Sequence, residues 1–492
     1  MTANTPISEI DRIVQQAYEA FLLFRNTTIR QRQDLMYRIA SQIEQLGPEL
    51  IDTAKAETNL PEARLIGEKA RTVFQWRSYA DALDTVLDIR IDTGDPTRTP
   101  PKPDIRKTYR GLGVVAVFGA SNFPFAFSTA GGDTASAIAA GCPVVLKVHP
   151  GHPRTSALMA GAIRRALEEA GVPPGLFTEV RSDGLEGGQH LVMHPLVKAV
   201  GFTGSFVGGK ALFDLAATRP EPIPVFAEMG SVNPVFVLPG KLMSSAETVA
   251  KQYTESLTLG VGQFCTNPGI LVVPEHGQLP LFLQALRSAI SNTAPSPMLH
   301  AGIASAYAEK RTAMLSQEGV TVLAEATDTG DKDSGRPTVA TVSAKTFLSN
   351  ERLSHEVFGP FGLVVRYETA EEAIAIATAL SGQLTATVLA EDEDLATYKG
   401  LIGTLTDKCG RLLLNGFPTG VEVCYAMQHG GPFPSTTDGR FTSVGPDAIK
   451  RFIRPISYQN WPDAYLPEEL QNSNPLGIWR TVNGQLTKDS LS

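Results

Sequence analysis

The sequence of 492 residues is poor in cysteine and lacks any C-x-x-C pair. The four cysteines are Cys142, Cys265, Cys409 and Cys424. Because they are widely spaced, we expect reduced thiols, with no disulfide and no metal site. The sequence also lacks a run of about eighteen apolar residues, so no transmembrane helix is predicted. Its start, M-T-A-N-T-P-I-S-E-I-D-R, carries acids and no apolar stretch, unlike a secretory signal. A cytoplasmic protein is therefore expected.

Clusters of basic residues are absent as well. The formal net charge is -8, and the 43 lysines and arginines are scattered along the chain. This distribution excludes the basic surface that binds nucleic acid or an anionic membrane. There is no internal repeat, while 42% of the residues are hydrophobic, which is enough for a large core. At this length the chain is expected to form about two to four lobes.

What the sequence does contain is a regular alternation of strands and helices. From Gly113, apolar runs such as G-V-V-A-V-F-G and P-V-V-L-K-V predict buried strands, each followed by a helical segment that ends at a glycine. This alternation predicts βαβ units and a parallel sheet covered on both faces. Around Pro234 the pattern restarts, so a second α/β lobe is predicted. Residues 87–110 instead alternate apolar and charged positions, which predicts half-exposed strands outside the main core.

Cys265 is the first candidate for chemistry, in the segment G-Q-F-C-T-N-P-G (262–269). A free cysteine is often only a small buried hydrophobe. The flanking Gly262, Pro268 and Gly269, however, predict an irregular loop, which is where reactive groups are often displayed. A thiolate is intrinsically nucleophilic once a local field lowers its pKa, so Cys265 is a candidate nucleophile.

Glu228 and Asn122 are candidates for the accompanying roles. Glu228 ends the apolar run P-V-F-A-E-M-G, where burial would raise the pKa of a carboxylate and suit it to general-base catalysis. The alternative is a glutamate satisfied by neighbouring main-chain N–H groups. Asn122, in F-G-A-S-N-F-P-F, follows a strand and precedes a helix. Its amide could donate to a developing oxyanion, or it could simply cap the helix.

Two further places suit a nucleotide. Lys147 lies at the carboxyl end of the strand P-V-V-L-K, where open α/β sheets bind ligands. Residues 201–210, G-F-T-G-S-F-V-G-G-K, predict a strand, a glycine-rich turn and a helix whose N-terminus would favour a phosphate. Neither segment contains the G-x-G-x-x-G fingerprint of dinucleotide-binding folds.

Six motifs in order along the chain resemble the NAD(P)-dependent aldehyde dehydrogenase superfamily. They are S-N-F-P-F (121–125), L-K (146–147), G-F-T-G-S (201–205), A-E-M-G (227–230), G-Q-F-C-T (262–266) and H-E-V-F-G-P-F (355–361). Longer stretches, including P-V-F-A-E-M-G-S-V-N-P-V-F, are similar to its α-ketoglutaric semialdehyde (2,5-dioxovalerate) dehydrogenase group. The resemblance implies oxidation of an aldehyde to a carboxylic acid, with a small semialdehyde as the expected substrate.

The resemblance also implies roles for individual residues. Cys265 would attack the aldehyde, Asn122 would stabilise the oxyanion, and Glu228 would activate the water that hydrolyses a thioester. NADP or NAD would be the cofactor. The residues implied to bind it are Lys147, Ser205, Gly204, Gly208, Met229, Glu356 and Phe358. The substrate residues are less specific: Phe123, Phe125 and Phe264 are candidates for an apolar channel, so medium-chain aliphatic or aromatic aldehydes remain an alternative.

One departure from the family pattern concerns the cofactor. Many members carry, three residues after the lysine, a glutamate that excludes a 2′-phosphate. This chain reads Lys147-Val148-His149-Pro150 instead. The hypothesis is that NADP is accepted, with Arg181 or His149 as the phosphate partner.

Two other classes of protein remain open on the sequence: a thiol hydrolase or CoA-dependent acyl transferase, and a catalytically silent member. In the sequence, no histidine lies within ten residues of Cys265 or of Glu228, so none is expected beside them in space. This argues against the hydrolase. Intact Cys265, Glu228 and Asn122 argue against a silent protein.

The family fold implies two α/β lobes with parallel sheets and a small β arm. Residues 1–86 and 111–234 would form the nucleotide-binding domain, and 235–439 the catalytic domain. Residues 87–110 and 440–460 would form an oligomerisation arm, followed by a C-terminal extension, 461–492. Because an exposed edge strand invites pairing with another chain, a homodimer or homotetramer is expected.

Overall fold

The computed structural model describes residues 4–491 and has the predicted α/β fold class, with two central parallel sheets. The helices are α1 (Ile7–Phe24), α2 (Ile29–Glu44), α3 (Pro48–Thr58), α4 (Glu62–Val86), α5 (Gly132–Ala139), α6 (Pro153–Glu169), α7 (Glu186–Met193), α8 (Phe206–Ala217), α9 (Pro239–Thr258), α10 (Leu279–Ser291), α11 (Ala301–Leu315), α12 (Ala344–Ser349), α13 (Ala370–Ala379), α14 (Asp392–Thr397) and α15 (Lys399–Lys408). None of these helices is both long and apolar enough to cross a membrane.

The strands alternate with these helices over most of the chain. They are β1 (Arg90–Asp92), β2 (Ile105–Gly111), β3 (Val114–Phe118), β4 (Val144–Lys147), β5 (Phe177–Val180), β6 (Val197–Thr203), β7 (Val225–Glu228), β8 (Val235–Val237), β9 (Ile270–Pro274), β10 (Ser296–Pro297), β11 (Thr321–Glu325), β12 (Ser334–Gly335), β13 (Thr338–Ser343), β14 (Phe361–Tyr367), β15 (Gln383–Leu389), β16 (Cys409–Leu414), β17 (Ile453–Gln459), β18 (Arg480–Val482) and β19 (Gln485–Thr487).

The first sheet has the order β5-β4-β3-β6-β7, and all of its strands are parallel. Every residue of β3 is buried, because helices cover both faces of the sheet and leave no polar side to alternate with. Separate apolar clusters lie on the two faces, one containing Val115 and Val117 and the other Val114 and Ala116. The carboxyl ends of these strands therefore meet at one edge, where Lys147 and Glu228 are the last strand residues.

The second sheet has seven strands in the order β11-β13-β14-β9-β8-β15-β16. Its strands are parallel except for β11, which is an antiparallel edge strand. All residues of β8, β9 and β15 are buried, as expected for a sheet that helices cover on both faces. The two-stranded pair of β10 and β12 lies outside this sheet.

A third sheet, in the order β17-β2-β1-β18-β19, is mostly antiparallel and half exposed. Strand β17 pairs with β2 along seven residues, from Ile453 opposite Gly111 to Gln459 opposite Ile105. Strands β18 and β19 come from the segment 461–492, for which the sequence analysis predicted no strands. The functional division of the chain into domains stays a prediction.

Helix α4 connects the N-terminal helices to the loop that follows β3. Trp76 is fully buried, and its Nε1 donates a hydrogen bond of 2.8 Å to the Ala130 carbonyl. Glu68 is also buried, and its Oε1 accepts hydrogen bonds from the main-chain N–H groups of Phe125 and Ala126, at 2.8 and 3.0 Å. These contacts hold α4 against the segment that carries Asn122.

Candidate active site

The loop that carries Cys265 lies between α9 and β9 and has an unusual backbone. Gly260, Val261 and Gly262 all have positive φ angles, of 55°, 59° and 65°. A β-branched residue such as Val261 adopts this region only when its surroundings impose it. At Gly262 a Cβ atom would collide with the main chain of Gly359, so only glycine fits. The sequence prediction of an irregular loop around Cys265 agrees with this geometry.

A buried amide holds the cysteine loop from the other side. Asn233 Nδ2 lies 2.9 Å from the carbonyl oxygen of Cys265 and 3.0 Å from that of Asn267. Asn233 is fully buried with a positive φ of 46°. Gln383 Oε1 in turn accepts hydrogen bonds from Ser231 Oγ and from the main-chain N–H of Val232, at 2.9 and 2.8 Å. This network fixes the orientation of the loop through main-chain contacts.

The structure brings Cys265 and Glu228 together around a third residue, His429. His429 Nε2 lies 3.5 Å from Cys265 Sγ and 2.9 Å from Glu228 Oε1. Ser443 Oγ donates a short hydrogen bond to Glu228 Oε2. Both His429 and Glu228 are almost completely buried, whereas Cys265 is half-buried. The arrangement places the imidazole within hydrogen-bonding distance of both the thiol and the carboxylate.

His429 corrects the expectation that no histidine would lie near either residue. The donor atoms of the three side chains all lie within 4.8 Å of one another. Hydrogen bonding between the imidazole and the carboxylate accounts for this spacing without a metal ion. The sequence contains a weak signal for this histidine. His429 lies in the segment Q-H-G-G-P-F-P (428–434), which is rich in glycine and proline and therefore typical of a loop that displays functional residues.

The pKa values of Cys265 and Glu228 are both shifted in the direction opposite to that expected from the sequence. Burial and the adjacent Glu228 carboxylate raise the pKa of the Cys265 thiol well above its usual range, although Arg71 opposes them. Burial alone would raise the pKa of Glu228, but His429, Ser443 and Cys265 outweigh it and lower this pKa below its usual value. The resting pair is therefore a thiol beside a carboxylate, and the thiol needs a base when it attacks.

The side-chain amide of Asn122 lies against the cysteine loop, where it is a candidate donor to an oxyanion. Asn122 is buried, and its Nδ2 donates a hydrogen bond of 3.0 Å to the carbonyl of Gln263, two residues before Cys265. An amide has two N–H groups, so one remains for a ligand. Together with the main-chain N–H of Cys265, it provides the pair of donors that acyl chemistry requires.

A cleft of about 870 Å³ lies beside the cysteine loop and suits a dinucleotide. Its wall includes Ser205, Gly230, Lys310 and Glu356. Ser205 caps α8 by accepting a hydrogen bond of 3.2 Å from Gly208 N–H, so the exposed first turn of this helix faces the cleft. Free N–H groups at a helix N-terminus favour a phosphate.

The predicted cofactor glycines have structural reasons to be glycine. A Cβ atom on Gly204 would lie 2.7 Å from the Phe202 ring, and one on Gly208 would lie 3.0 Å from it. A Cβ atom on Gly230 would collide with the Glu356 carboxylate, which therefore fits closely over the main chain. Burial raises the pKa of Glu356 to about 7, although Lys310 and the N–H of Ser231 oppose this shift.

The remaining cofactor candidates lie at different distances from the cleft. Phe358 lines a small cavity together with Glu356 and Gly262, so it lies between the cleft and the cysteine loop. Lys147 ends β4 and is half-buried. Burial lowers its pKa. The Met229 side chain is 2% exposed and packs against Gly209, so any contact with a cofactor would come from its main chain.

The three candidate substrate phenylalanines separate into two groups. The rings of Phe123 and Phe264 lie 5.6 Å apart and both contact the Arg64 guanidinium, each with a centroid 4.7 Å from Cζ. Phe264 is the residue before Cys265, so this cluster borders the sulfur. Phe125, by contrast, is fully buried in the core of the first lobe. The structure therefore does not place Phe125 with the other two.

Comparison with known proteins identifies the family. The aldehyde dehydrogenase family matches residues 2–455. The chain belongs to the aldehyde dehydrogenase family. It is accordingly an oxidoreductase that acts on an aldehyde with NAD(P), which confirms the family predicted from the motifs.

Relatives of known activity cover almost the whole chain. An α-ketoglutaric semialdehyde dehydrogenase of Acinetobacter baylyi is 46% identical over 491 residues, or 99% of this chain and 93% of the relative. α-Ketoglutaric semialdehyde dehydrogenase 2 of Azospirillum brasilense is 46% identical over 97% of this chain and 92% of its own. These proteins confirm the resemblance at the level of the group.

Solved structures of other aldehyde dehydrogenases share the fold. A methylmalonate-semialdehyde dehydrogenase from Oceanimonas doudoroffii has a TM-score of 0.79 and 20% identity, covering 93% of this chain and 92% of that chain. A Staphylococcus aureus betaine aldehyde dehydrogenase in complex with NAD⁺ has a TM-score of 0.79 and 21% identity, covering 93% and 90%. The fold of this aldehyde dehydrogenase is therefore the one predicted from its sequence.

Proposed function

We propose that this aldehyde dehydrogenase oxidises α-ketoglutaric semialdehyde to the corresponding dicarboxylic acid. The observation that carries the reaction is the contact of His429 with both Cys265 Sγ and Glu228 Oε1, at 3.5 and 2.9 Å. The substrate rests on the two relatives of that activity, each 46% identical over nearly the full chain.

The first step is attack by the Cys265 sulfur on the aldehyde carbon. As the S–C bond forms, the thiol proton passes to His429 Nε2 or to the carboxylate of Glu228, and it leaves to solvent before the hydrolytic step. The carbonyl oxygen becomes an oxyanion and receives hydrogen bonds from the amide of Asn122 and the main-chain N–H of Cys265. Because the pKa of the thiol is raised, its proton is removed as the bond forms rather than beforehand.

NAD(P)⁺, when bound, supplies the hydride acceptor that turns the resulting adduct into a thioester. Three groups would hold it: the first turn of α8 for phosphate, Glu356 for a ribose hydroxyl, and Lys147 at the end of β4. The close fit of Glu356 over Gly230 and the cleft of about 870 Å³ support this assignment.

Glu228 then activates the water that hydrolyses the thioester. A carboxylate kept ionised by His429 and Ser443 accepts a proton from the water as its oxygen attacks the acyl carbon. The Cys265 thiolate leaves and regains a proton, and the carboxylic acid is released. In total, the aldehyde and one water give the carboxylic acid, one hydride that carries two electrons to the cofactor, and one proton that is released to solvent.

NADP is proposed as an accepted cofactor, with Arg181 as the partner of the 2′-phosphate. Arg181 directly follows β5, the neighbour of β4 and Lys147. His149 suits this role less well, because burial and the nearby His152 lower its pKa to about 3 and leave it neutral. Steady-state kinetics with both cofactors test this proposal, and a preference for NAD above about tenfold would contradict it.

The domain roles and the assembly are also proposals. The sheet of β3–β7 would bind the nucleotide, and the sheet of β8, β9, β11 and β13–β16 would carry the nucleophile. The sheet of β1, β2 and β17–β19 would join protomers into a homodimer or homotetramer in the cytoplasm. Its half-exposed strands support that role. Light scattering that shows a monomer would contradict it.

The experiment that tests the proposed function is an aldehyde panel followed by absorbance at 340 nm. α-Ketoglutaric semialdehyde, succinic semialdehyde and pentanal are compared with NAD and NADP, with and without CoA. The highest kcat/KM is expected for α-ketoglutaric semialdehyde, without a requirement for CoA. Acyl transfer to CoA, or thioester hydrolysis without reduction of cofactor, would favour the acyl transferase or the hydrolase.

A further inference from the structure

We propose that Arg71 binds the carboxylate at the end of the substrate opposite the aldehyde, which makes it the residue that selects acid-bearing semialdehydes. This inference rests on the proposed function and deepens it, because neither the motifs nor the comparisons indicate which cation recognises the acid group.

Arg71 lies on the face of α4 that is turned towards the catalytic cysteine. Arg64 and Arg71 are two helical turns apart and therefore share one face. Arg71 Cζ lies 5.1 Å from the centroid of the Phe127 ring, and that ring lies 6.2 Å from the ring of His429. His429 contacts the sulfur of Cys265. Along these contacts two side chains, Phe127 and His429, lie between the guanidinium and the sulfur.

The donors of Arg71 are largely unused. Its Nη1 is buried and has no hydrogen-bond acceptor within the described residues. Its Nη2 has only a long contact, of 3.5 Å, with the carbonyl of Val421. No carboxylate of residues 4–491 forms an ion pair with it within 4.0 Å. A buried cation without an anion is costly, so a ligand carboxylate is the partner that would complete this site.

Two other arginines near the cysteine each commit at least one Nη to main-chain carbonyls, although Arg64 Nη1 and Arg411 Nε are buried without an acceptor among the described residues. Arg64 Nη2 donates a hydrogen bond of 2.6 Å to the carbonyl of Asn122, and the guanidinium is enclosed by two phenylalanine rings. Arg411 donates from Nη2 to the carbonyls of Pro418 and Gly420, at 2.9 and 3.1 Å. These contacts position loops. Of the three, Arg71 has the weakest commitments, because its Nη1 has no acceptor among the described residues and its Nη2 has only the contact of 3.5 Å.

The electrostatic environment agrees with this geometry. Against the larger effects of burial and Glu228, which raise the pKa of the Cys265 thiol, Arg71 lowers this pKa, so its charge acts at the sulfur. Arg64 and Arg411 also interact electrostatically with this thiol. The acids that face it are Glu68 and Glu422. Glu68 Oε1 is committed to Phe125 and Ala126, and burial raises its pKa. Glu422 Oε1 accepts from the N–H of Val423. Glu68 Oε2 has no hydrogen-bond partner among the described residues, but neither acid forms an ion pair with Arg71, so the donors of Arg71 stay open to a substrate carboxylate.

The test compares aldehydes with and without a remote carboxylate. kcat/KM is measured for α-ketoglutaric semialdehyde, succinic semialdehyde and pentanal with wild type, Arg71→Gln and Arg71→Lys. Arg77→Gln is the matched control, since Arg77 lies on the same helix but is exposed and paired with Glu44. Arg71→Gln is expected to lose about 100-fold with the two acids and less than about threefold with pentanal. Arg71→Lys is expected to lose about tenfold with the acids.

Each outcome separates this inference from the proposed function. If wild type prefers the acids and Arg71→Gln keeps that preference, Arg71 is not the anchor, although the proposed function stands. If wild type oxidises pentanal as well as the acids, the proposed substrate and the inference both fail. Folding is checked by circular dichroism and NAD affinity. Independently, inhibition by 2-oxoglutarate should weaken about 100-fold in Arg71→Gln, and an unchanged inhibition constant would overturn the inference.

Discussion

His429 Nε2 lies 2.9 Å from Glu228 Oε1, although 201 residues separate the two in the sequence. The same nitrogen lies 3.5 Å from the sulfur of Cys265. One imidazole therefore contacts both the nucleophile and the proposed base. His429 opposes burial and lowers the pKa of Glu228, while burial and Glu228 raise the pKa of Cys265, so a change in one of these side chains alters the ionisation of its neighbour.

Replacement of Cys265 by alanine should abolish reduction of NAD(P) by aldehyde, because no other group provides the attacking sulfur. The expected loss in kcat is about 10³-fold or more, measured at 340 nm. Cys424→Ala is the control, since Cys424 is also a half-buried free thiol. Substantial activity in Cys265→Ala would contradict the assignment.

Glu228→Gln should preserve attack, because the imidazole of His429 can still take the thiol proton, but it should slow hydrolysis of the thioester, since an amide cannot accept the proton of water. A burst of NAD(P)H equal to the enzyme concentration should precede a turnover slowed by about 10²- to 10⁴-fold. Mass spectrometry of the quenched protein should detect an acyl group on Cys265. Absence of both the burst and the acyl group would place Glu228 in an earlier step.

His429→Gln should shift the acidic limb of the kcat profile to higher pH. Wild-type Glu228 has a lowered pKa because His429 and Ser443 outweigh burial. Without the imidazole, burial acts with less opposition and the pKa of Glu228 rises. The carboxylate is then protonated, and so lost as a base, at a higher pH than in wild type. At neutral pH, kcat should fall by about ten- to a hundredfold.

Ser443→Ala is the graded control for this experiment. It removes one hydrogen bond to Glu228 but leaves the His429 ring in place. Its acidic limb should move in the same direction as that of His429→Gln, but less far. An acidic limb that stays unmoved in both variants would show that Glu228 does not limit turnover at low pH.

The affinity for NAD should rise as the pH increases through about 7. Burial raises the pKa of Glu356 to about 7, and only its ionised form accepts two ribose hydroxyl donors well. Between pH 6 and 8 the dissociation constant should fall by about tenfold, measured by fluorescence titration. The Glu356→Gln variant should bind NAD more weakly, and its dissociation constant should not depend on pH in this range. A flat wild-type profile would exclude this role for Glu356.

Asn233→Ala should destabilise the protein and release the cysteine loop. The buried amide satisfies the carbonyls of Cys265 and Asn267, and alanine is strained at a φ of 46°. The free energy of unfolding should fall by about 2–4 kcal/mol, measured from the urea midpoint. Asn292→Ala, which removes an exposed local hydrogen bond, should change it by less than about 0.5 kcal/mol. Equal effects of the two changes would contradict a role for Asn233.

Local patterns in the sequence were sufficient for the fold class and for the motif residues. The runs around β3 and β4 are apolar because helices cover both faces of their sheet, and such runs are visible without coordinates. Cys265 was identified from its flanking glycines and proline, which constrain the backbone locally. The catalytic roles of these residues stay predictions, although the structure brings Cys265 and Glu228 together.

The sequence alone determined that this protein is an α/β aldehyde dehydrogenase with a cysteine nucleophile, because periodicity and short motifs depend on neighbouring residues. Only the tertiary structure placed His429 against Glu228, left Arg71 Nη1 without an acceptor among residues 4–491, and buried Phe125 in the core of the first lobe. It also reversed the expected pKa values of Cys265 and Glu228. Contacts, burial and charge are set by segments that are distant in sequence, and ionisation responds to all three.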